Sequence, residues 1–266
     1  MEWMWVLPYL GLGLIVGFFA GLLGIGGGGI MVPILTMLFV AQGVGGEHLV
    51  HMALGTSLAS IVVTSLSSMR SHHQHGAVMW PVVKRMAAGI LLGTFTLSIL
   101  ASYFSALFLA AFFSAFMAYI ALQMFLNIKP KPSRKLPHTM GLTGAGFGIG
   151  GISALVAIGG GSLTVPFLTW CNVKVQHAIG TSAAIGLPIA LAGSLGYMVS
   201  GWGQENLPEL SLGYVYWPAV VLISLVSVFT APLGARLAHK LPVAMLKKIF
   251  GIILLALAVK MLQVVI

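Results

Sequence analysis

The sequence predicts an all-α fold, a polytopic transmembrane helical bundle of two inverted-topology repeats with short broken or re-entrant helices at glycine-rich motifs. Three observations carry that prediction: the composition, a motif order that occurs twice, and the opposite charge of corresponding loops. Of the 266 residues, 59% are hydrophobic and only 6% are charged, and the mean hydropathy is +1.05. A soluble domain is normally about 25% charged, so no water-facing surface can be assembled from this chain. The apolar runs are long and closely spaced, which suits helices rather than the alternating strands of an outer-membrane barrel.

The doubling is read from three anchors in the same order. Gly24 to Leu35 reads GIGGGGIMVPIL, and Ile158 to Leu168 reads IGGGSLTVPFL. Ala53-Leu-Gly-Thr-Ser57 returns as Ala178-Ile-Gly-Thr-Ser182, and Gly76-Ala-Val-Met-Trp-Pro81 as Gly213-Tyr-Val-Tyr-Trp-Pro218. The chain therefore divides into an N-terminal repeat over 1–127, a polar linker over 128–138 and a C-terminal repeat over 139–266, all in one membrane domain. Apolar runs follow in order at 3–24, 30–41, 49–69, 86–102 and 104–127, then at 139–157, 163–172, 178–200, 212–235 and 245–266. Eight to ten of them are membrane segments, depending on whether 30–41 and 163–172 span or re-enter. The N-terminal run lacks a positive flank and a small-residue cleavage site, so it reads as a retained span.

Charge sets the orientation. The stretch 70–85 carries Arg70, Lys84 and Arg85, whereas its counterpart at 200–210 carries Glu205 and Glu209 and no base. Conversely, the turn at 101–105 is uncharged and its counterpart holds Arg236, Lys240, Lys247 and Lys248. Lys and Arg mark the cytoplasmic side, so equivalent loops fall on opposite faces and the repeats are inverted. With both termini outside and the linker inside, all but Lys260 of the 13 basic residues lie inside, and all four acids lie outside. Lys260 sits near a helix end, from which its long stem can snorkel.

The glycine runs are costly as helix, at about 1 kcal/mol each relative to alanine, so something other than local stability accounts for their repetition. The runs that follow them are too short for a span of about 20 residues. Short, interrupted segments in matching positions of inverted halves point to a transport site, and non-helical backbone at membrane depth must be buried or line a wet cavity. The two breaks are accordingly placed near the midplane, facing each other. Glycine lets backbone N–H groups approach a ligand, and a helix beginning after the break aims partial positive charge at it. The short helices are expected to start at Ile30 and Leu163, with Val-Pro in their first turns. Candidate anion-binding residues are Gly26, Gly27, Gly28, Gly29, Thr56 and Ser57 in one half, and Gly159, Gly160, Gly161, Ser162, Thr181 and Ser182 in the other.

Other features read as structural. Gly13, Gly17 and Gly21 have the spacing of tight helix packing, and the Thr-Ser pairs have the alternative of bonding carbonyls within their own helices. His51 and His177 read as loop or interface residues. His72, His73 and His75 read as a solvated cytoplasmic loop near anionic headgroups, and Trp80 and Trp217 as interfacial anchors. A single cysteine, Cys171, excludes an internal disulfide and a cysteine-based metal cage. No metal site, cofactor, nucleic-acid partner or catalytic constellation is expected.

The paired G-G-G-x-x-x-V-P motifs, each followed by A-x-G-T-S, resemble the sulfite exporter TauE/SafE family of membrane permeases over nearly the whole chain. Gly29 stands where the second half has Ser162, so a hydroxyl there serves one repeat only. The resemblance implies movement of small sulfur-containing anions such as sulfite or organosulfonates across a cell membrane, here a bacterial inner membrane. The chain has no Asp and its Glu residues lie outside the apolar runs, so an intramembrane carboxylate relay is absent. The resulting expectation is an anion exporter working by alternating access. A permease for a carboxylate, another sulfur species or a cation is the main alternative, and a non-transporting scaffold a lesser one.

Overall fold

A computed structural model describes residues 3–23, 27–126, 133–238 and 243–266. The first half of the chain holds α1 (Val6–Leu23), α2 (Gly28–Ala41), α3 (Leu49–Gln74), α4 (Trp80–Ala101) and α5 (Ala106–Phe125). The second holds α6 (Thr139–Val156), α7 (Gly161–Trp170), α8 (Val175–Ser200), α9 (Trp217–Ala238) and α10 (Val243–Val265). A two-stranded hairpin, Ser211–Leu212 with Val215–Tyr216, precedes α9. Among the described residues, eight helices are long and apolar enough to cross a membrane. The chain is thus a polytopic helical membrane bundle.

The helices α2 and α7 fall short of a crossing. At 14 and 10 residues they are about 21 Å and 15 Å long, against a hydrocarbon core of roughly 30 Å. α2 turns back along α1: Gly27 lies against Val16, and the Gln42 amide beyond the end of α2 donates to the Tyr9 hydroxyl at 2.6 Å. α7 turns back in the same way, because the Trp170 carbonyl at its end accepts from the Ser133 and Arg134 amides ahead of α6.

α3 and α8 are the most buried helices and cross at the centre. Their contacts run in opposite register, with Gly55 against Tyr197, Gly193 against Leu58 and Gly186 against Ser65, so they are antiparallel. α5 and α10 are antiparallel too: Ser114 donates to the Ala258 carbonyl at 2.9 Å, while Gly251 meets Ala121 and Phe125. The remaining long helices pair in parallel. Gly13, Gly17 and Gly21 of α1 lie against Ile223, Ser227 and Ala231 of α9, as the packing reading of those glycines requires. Gly89 and Gly93 of α4 lie against Thr143 and Phe147 of α6. Where lipid tails are as apolar as leucine, such small-residue seams let backbones approach and gain dispersion contact. The outward faces carry Leu14, Leu92, Phe108, Leu122, Phe229 and Ile252, all exposed.

The connections sort into two faces. On one, the His177 ring bonds the Ala77 carbonyl at 3.4 Å and the linker backbone bonds Trp170. On the other, His48 meets the Tyr214 hydroxyl at 3.4 Å, and the His51 Nε2–H donates to the Ala101 and Phe104 carbonyls at 3.0 and 3.1 Å. His51 is therefore a buried staple between α3 and the turn after α4, and His177 an interface residue. The anticipated charged loop at 70–85 shrinks to 75–79, because Arg70 belongs to α3 and Lys84 and Arg85 to α4. Across it, His73 at the end of α3 accepts from the indole N–H of Trp80 at the start of α4 at 3.2 Å. α8 likewise starts ahead of residue 178, and α9 starts at Trp217 rather than 212.

Burial raises the pKa of the Cys171 thiol, with Arg134 acting against it, which disfavours the reactive thiolate. Against that low background, Gln74→Cys and Glu205→Cys should each react with an impermeant maleimide from one side of the membrane only, and from opposite sides. Labelling of both from the same side would contradict the arrangement of faces.

Candidate functional site

The two glycine breaks share one backbone solution. Gly27 (φ 76°, ψ −9°) and Gly160 (φ 80°, ψ −20°) both occupy the left-handed region, which glycine adopts without a Cβ penalty. Each carbonyl then caps the helix that follows. Gly27 accepts from the Ile30 and Met31 amides at 3.2 and 3.1 Å, and Gly160 from those of Leu163 and Thr164 at 3.3 and 2.8 Å. The helices thus begin at Gly28 and Gly161, two residues earlier than Ile30 and Leu163. The amides of Gly28, Gly29, Gly161 and Ser162 become first-turn donors with no intrahelical acceptor.

The earlier start also moves the prolines. Pro33 and Pro166 fall beyond the first turn, inside their helices, where the missing N–H leaves the Gly29 and Ser162 carbonyls without a helical partner. Each break therefore presents free amide donors and, close by, a free carbonyl.

The breaks touch each other. A Cβ on Gly28 would collide with the Ala157 carbonyl oxygen, so that approach excludes any side chain. Around the contact, Ile61 reaches Gly28 from α3, and the Gly159 carbonyl and Ser65 hydroxyl both lie against Gly186 of α8. The Ser162 and Thr164 hydroxyls are buried with no hydrogen-bond partner among the described residues, as is that of Ser57 on α3. Gly26 lies outside the described residues.

Thr56 and Thr181 have a different duty. The Tyr216 amide donates to the Thr56 hydroxyl oxygen at 3.0 Å, and the Met79 amide to that of Thr181, also at 3.0 Å. Tyr216 and Met79 are the residues just before the two Trp-Pro steps. The preceding glycines make room: a Cβ on Gly55 would stand 2.7 Å from the Tyr214 carbonyl, and one on Gly180 would stand 2.6 Å from that of Ala77. The A-x-G-T-S motif on each central helix is thus a clamp for the G-x-V-x-W-P segment of the opposite half. Ser182 donates to the Ile179 carbonyl at 2.9 Å within its own helix, in line with the local-bonding alternative.

The twelve candidate residues accordingly separate along the central helices. Thr56 lies about 13 Å from Ser65 along α3, and Thr181 about 7.5 Å from Gly186 along α8. Sequence reasoning missed Ser65, Thr164 and the proline-freed carbonyls. A signal was available for part of this: Ser57, Ser60 and Thr64 recur at helical spacing inside a buried helix, and Thr164 sits within the repeated motif itself.

A family model described as sulfite exporter TauE/SafE matches residues 9–261. The chain belongs to this family. A probable membrane transporter protein of Haemophilus influenzae is 39% identical over 261 residues, covering 96% of this chain and 97% of the relative. A probable membrane transporter of Bacillus subtilis is 27% identical, covering 88% and 90% of the two chains, and one of Methanocaldococcus jannaschii is 26% identical, covering 90% and 89%. No solved structure matches the chain. As a member of the TauE/SafE family the protein is a membrane transporter and not an enzyme. Both glycine breaks and both clamps lie within the matched region.

Replacing Thr56 or Thr181 by valine keeps the shape of the clamp and leaves an amide without its partner, buried at Tyr216 and half-buried at Met79. Each variant should lose about 1–3 kcal/mol of stability. The double variant should lose close to the sum, since the two clamps are far apart and share no partner. Thermal unfolding in detergent measures this, and an unchanged melting temperature in both single variants would contradict the clamp.

Proposed function

We propose that the protein is a permease for a small sulfur-containing anion of the sulfite or organosulfonate type, exporting it by alternating access between two inverted-topology repeats, 1–127 and 139–266. The observation that carries this reading is the meeting of the two breaks at Gly28 and Ala157. There, first-turn amides from both short helices, together with the Ser162 and Thr164 hydroxyls, form a concentration of uncommitted donors deep in an apolar bundle. An oxyanion is the complementary guest, because helix N-termini offer it amides and partial positive charge without a buried Lys or Arg.

The antiparallel crossings of α3 with α8 and of α5 with α10 support inversion, since each pairs a helix with its counterpart in the other half. The basic face, which holds residues 133–138 of the linker, is assigned to the cytoplasm of a bacterial inner membrane, with both termini outside. A cytoplasm-negative potential then favours anion exit by about 2.3 kcal/mol per charge per 100 mV, without an intramembrane carboxylate. A second reading draws on the Gly29 and Ser162 carbonyls freed by Pro33 and Pro166, which suit a cation, either as cargo or as a coupled ion.

Proteoliposome flux distinguishes these readings. Sulfite or sulfonate efflux should accelerate under an imposed potential, negative on the cytoplasmic-face side. Ser162→Ala and Thr164→Val should each lower it roughly 10-fold or more, the worth of one hydrogen bond to a charged group, with expression unchanged. Flux that follows a sodium gradient and ignores both substitutions would favour the cation reading.

A further inference from the structure

On the linker side of the bundle, three segments remote in sequence line an open cleft of about 450 Å³. Met79 contributes from the segment before α4, Lys135 and Leu136 from the linker, and Val173, Lys174 and His177 from the turn into α8. The linker is held in place there. The Ser133 and Arg134 amides both donate to the Trp170 carbonyl at 3.3 Å, and the Arg134 guanidinium stacks on the Trp170 ring at 4.8 Å from its centroid.

The charge of this cleft is one-sided. Lys135, Lys174 and the neighbouring Arg134 are cationic, and Lys174 immediately precedes the 26-residue helix α8. The first hydrogen bond of that helix runs from the Ala178 amide to the Lys174 carbonyl at 2.9 Å, so the Val175, Gln176 and His177 amides have no helical acceptor. The described carboxylates, Glu47, Glu205 and Glu209, all lie on the opposite face. The equivalent segment there, 42–48 beside Tyr214, carries Glu47 and no Lys or Arg.

The level of the cleft narrows the class of ligand. The candidate spans α4, α6 and α8 all begin beside it, at Trp80, Thr139 and Val175, which puts it at the boundary between hydrocarbon and water. Cationic groups are thereby combined with apolar walls from Met79, Leu136 and Val173, an arrangement that matches a phosphate group joined to acyl chains.

We propose that this cleft is a binding site for a phosphate group, occupied in the membrane by the headgroup of an anionic phospholipid on the linker face. A phosphate held by Lys135 and Lys174 bridges the linker to the α7–α8 turn, next to the amide of Met79 that Thr181 clamps. The site is independent of the cargo.

The full-length protein in detergent tests this, with short-chain phosphatidylglycerol, short-chain phosphatidylcholine and inorganic phosphate as separate probes, read by native mass spectrometry and thermal shift. The Lys135→Gln/Lys174→Gln variant should bind phosphatidylglycerol about 10- to 30-fold more weakly, with phosphatidylcholine unaffected. Lys84→Gln, which removes a charge from the same face outside the cleft, should bind phosphatidylglycerol like the parent. Protection by inorganic phosphate that depends on both lysines, together with phosphatidylglycerol binding that does not, would overturn the lipid assignment in favour of a soluble phosphate. Binding of all three probes unchanged in the double variant, or lost equally in Lys84→Gln, would overturn the site. Equal melting temperatures of parent and double variant without ligand exclude misfolding as the cause.

Discussion

A glycine and a threonine on each central helix hold the backbone of the opposite half, and the rest of the bundle depends on that exchange. Gly55 and Thr56 receive Tyr214 to Tyr216, while Gly180 and Thr181 receive Ala77 to Met79. An amide left unpaired in so apolar a setting costs far more than in water, so the starts of α4 and α9 are fixed by helices from the other half of the chain. The seams of α1 with α9 and of α4 with α6 then follow as the neighbouring contacts of the same exchange. Neither half has a core of its own. If the halves rock as proposed, opening one face strains the clamp nearest that face while the other clamp stays closed.

The same rule accounts for where irregular backbone is found. Both short helices turn back beside their preceding helix, and the breaks that allow this are packed against each other and against α3 and α8, away from lipid. Glycine serves two distinct ends there. At Gly27 and Gly160 it supplies a left-handed turn, whereas at Gly28 it removes a Cβ that would meet the Ala157 carbonyl. Proline adds a third element, since Pro33 and Pro166, one turn further on, free the Gly29 and Ser162 carbonyls, so donors and acceptors occur together at each break.

The two halves are alike in backbone and unlike in side chains. Ser162 and Thr164 have Gly29 and Met31 as counterparts, so at these positions of the short helices only the second half carries hydroxyls. The faces differ as well among the described residues, since Arg134, Lys135 and Lys174 gather beside the α7–α8 turn while Glu205 and Glu209 lie beside the hairpin that precedes α9. One break is richer in donors, and one face has a cationic cleft.

Membrane residence, the doubled motif order, the short segments after Gly29 and Gly161 and the grouping of loops by charge are all legible in the sequence. They depend on composition and local spacing, and hydrocarbon tolerates few solutions. The roles of individual residues were less accessible. Thr56 and Thr181 read as donors to a ligand because a hydroxyl beside a glycine in a buried helix has the same local signature whether it meets a solute or a backbone amide. Their partners are Tyr216 and Met79, which lie 160 and 102 residues away. The starts of α2 and α7 were misplaced for a related reason, since helix propensity counts against glycine but a left-handed cap followed by close packing selects it. The sequence alone determined that the chain is a polytopic helical membrane protein in which two glycine-rich stretches each precede a short apolar segment. The tertiary structure decided which groups of the repeated motifs are committed to holding remote backbone and which stay uncommitted at the breaks, because that depends on contacts between residues whose separation no local pattern encodes.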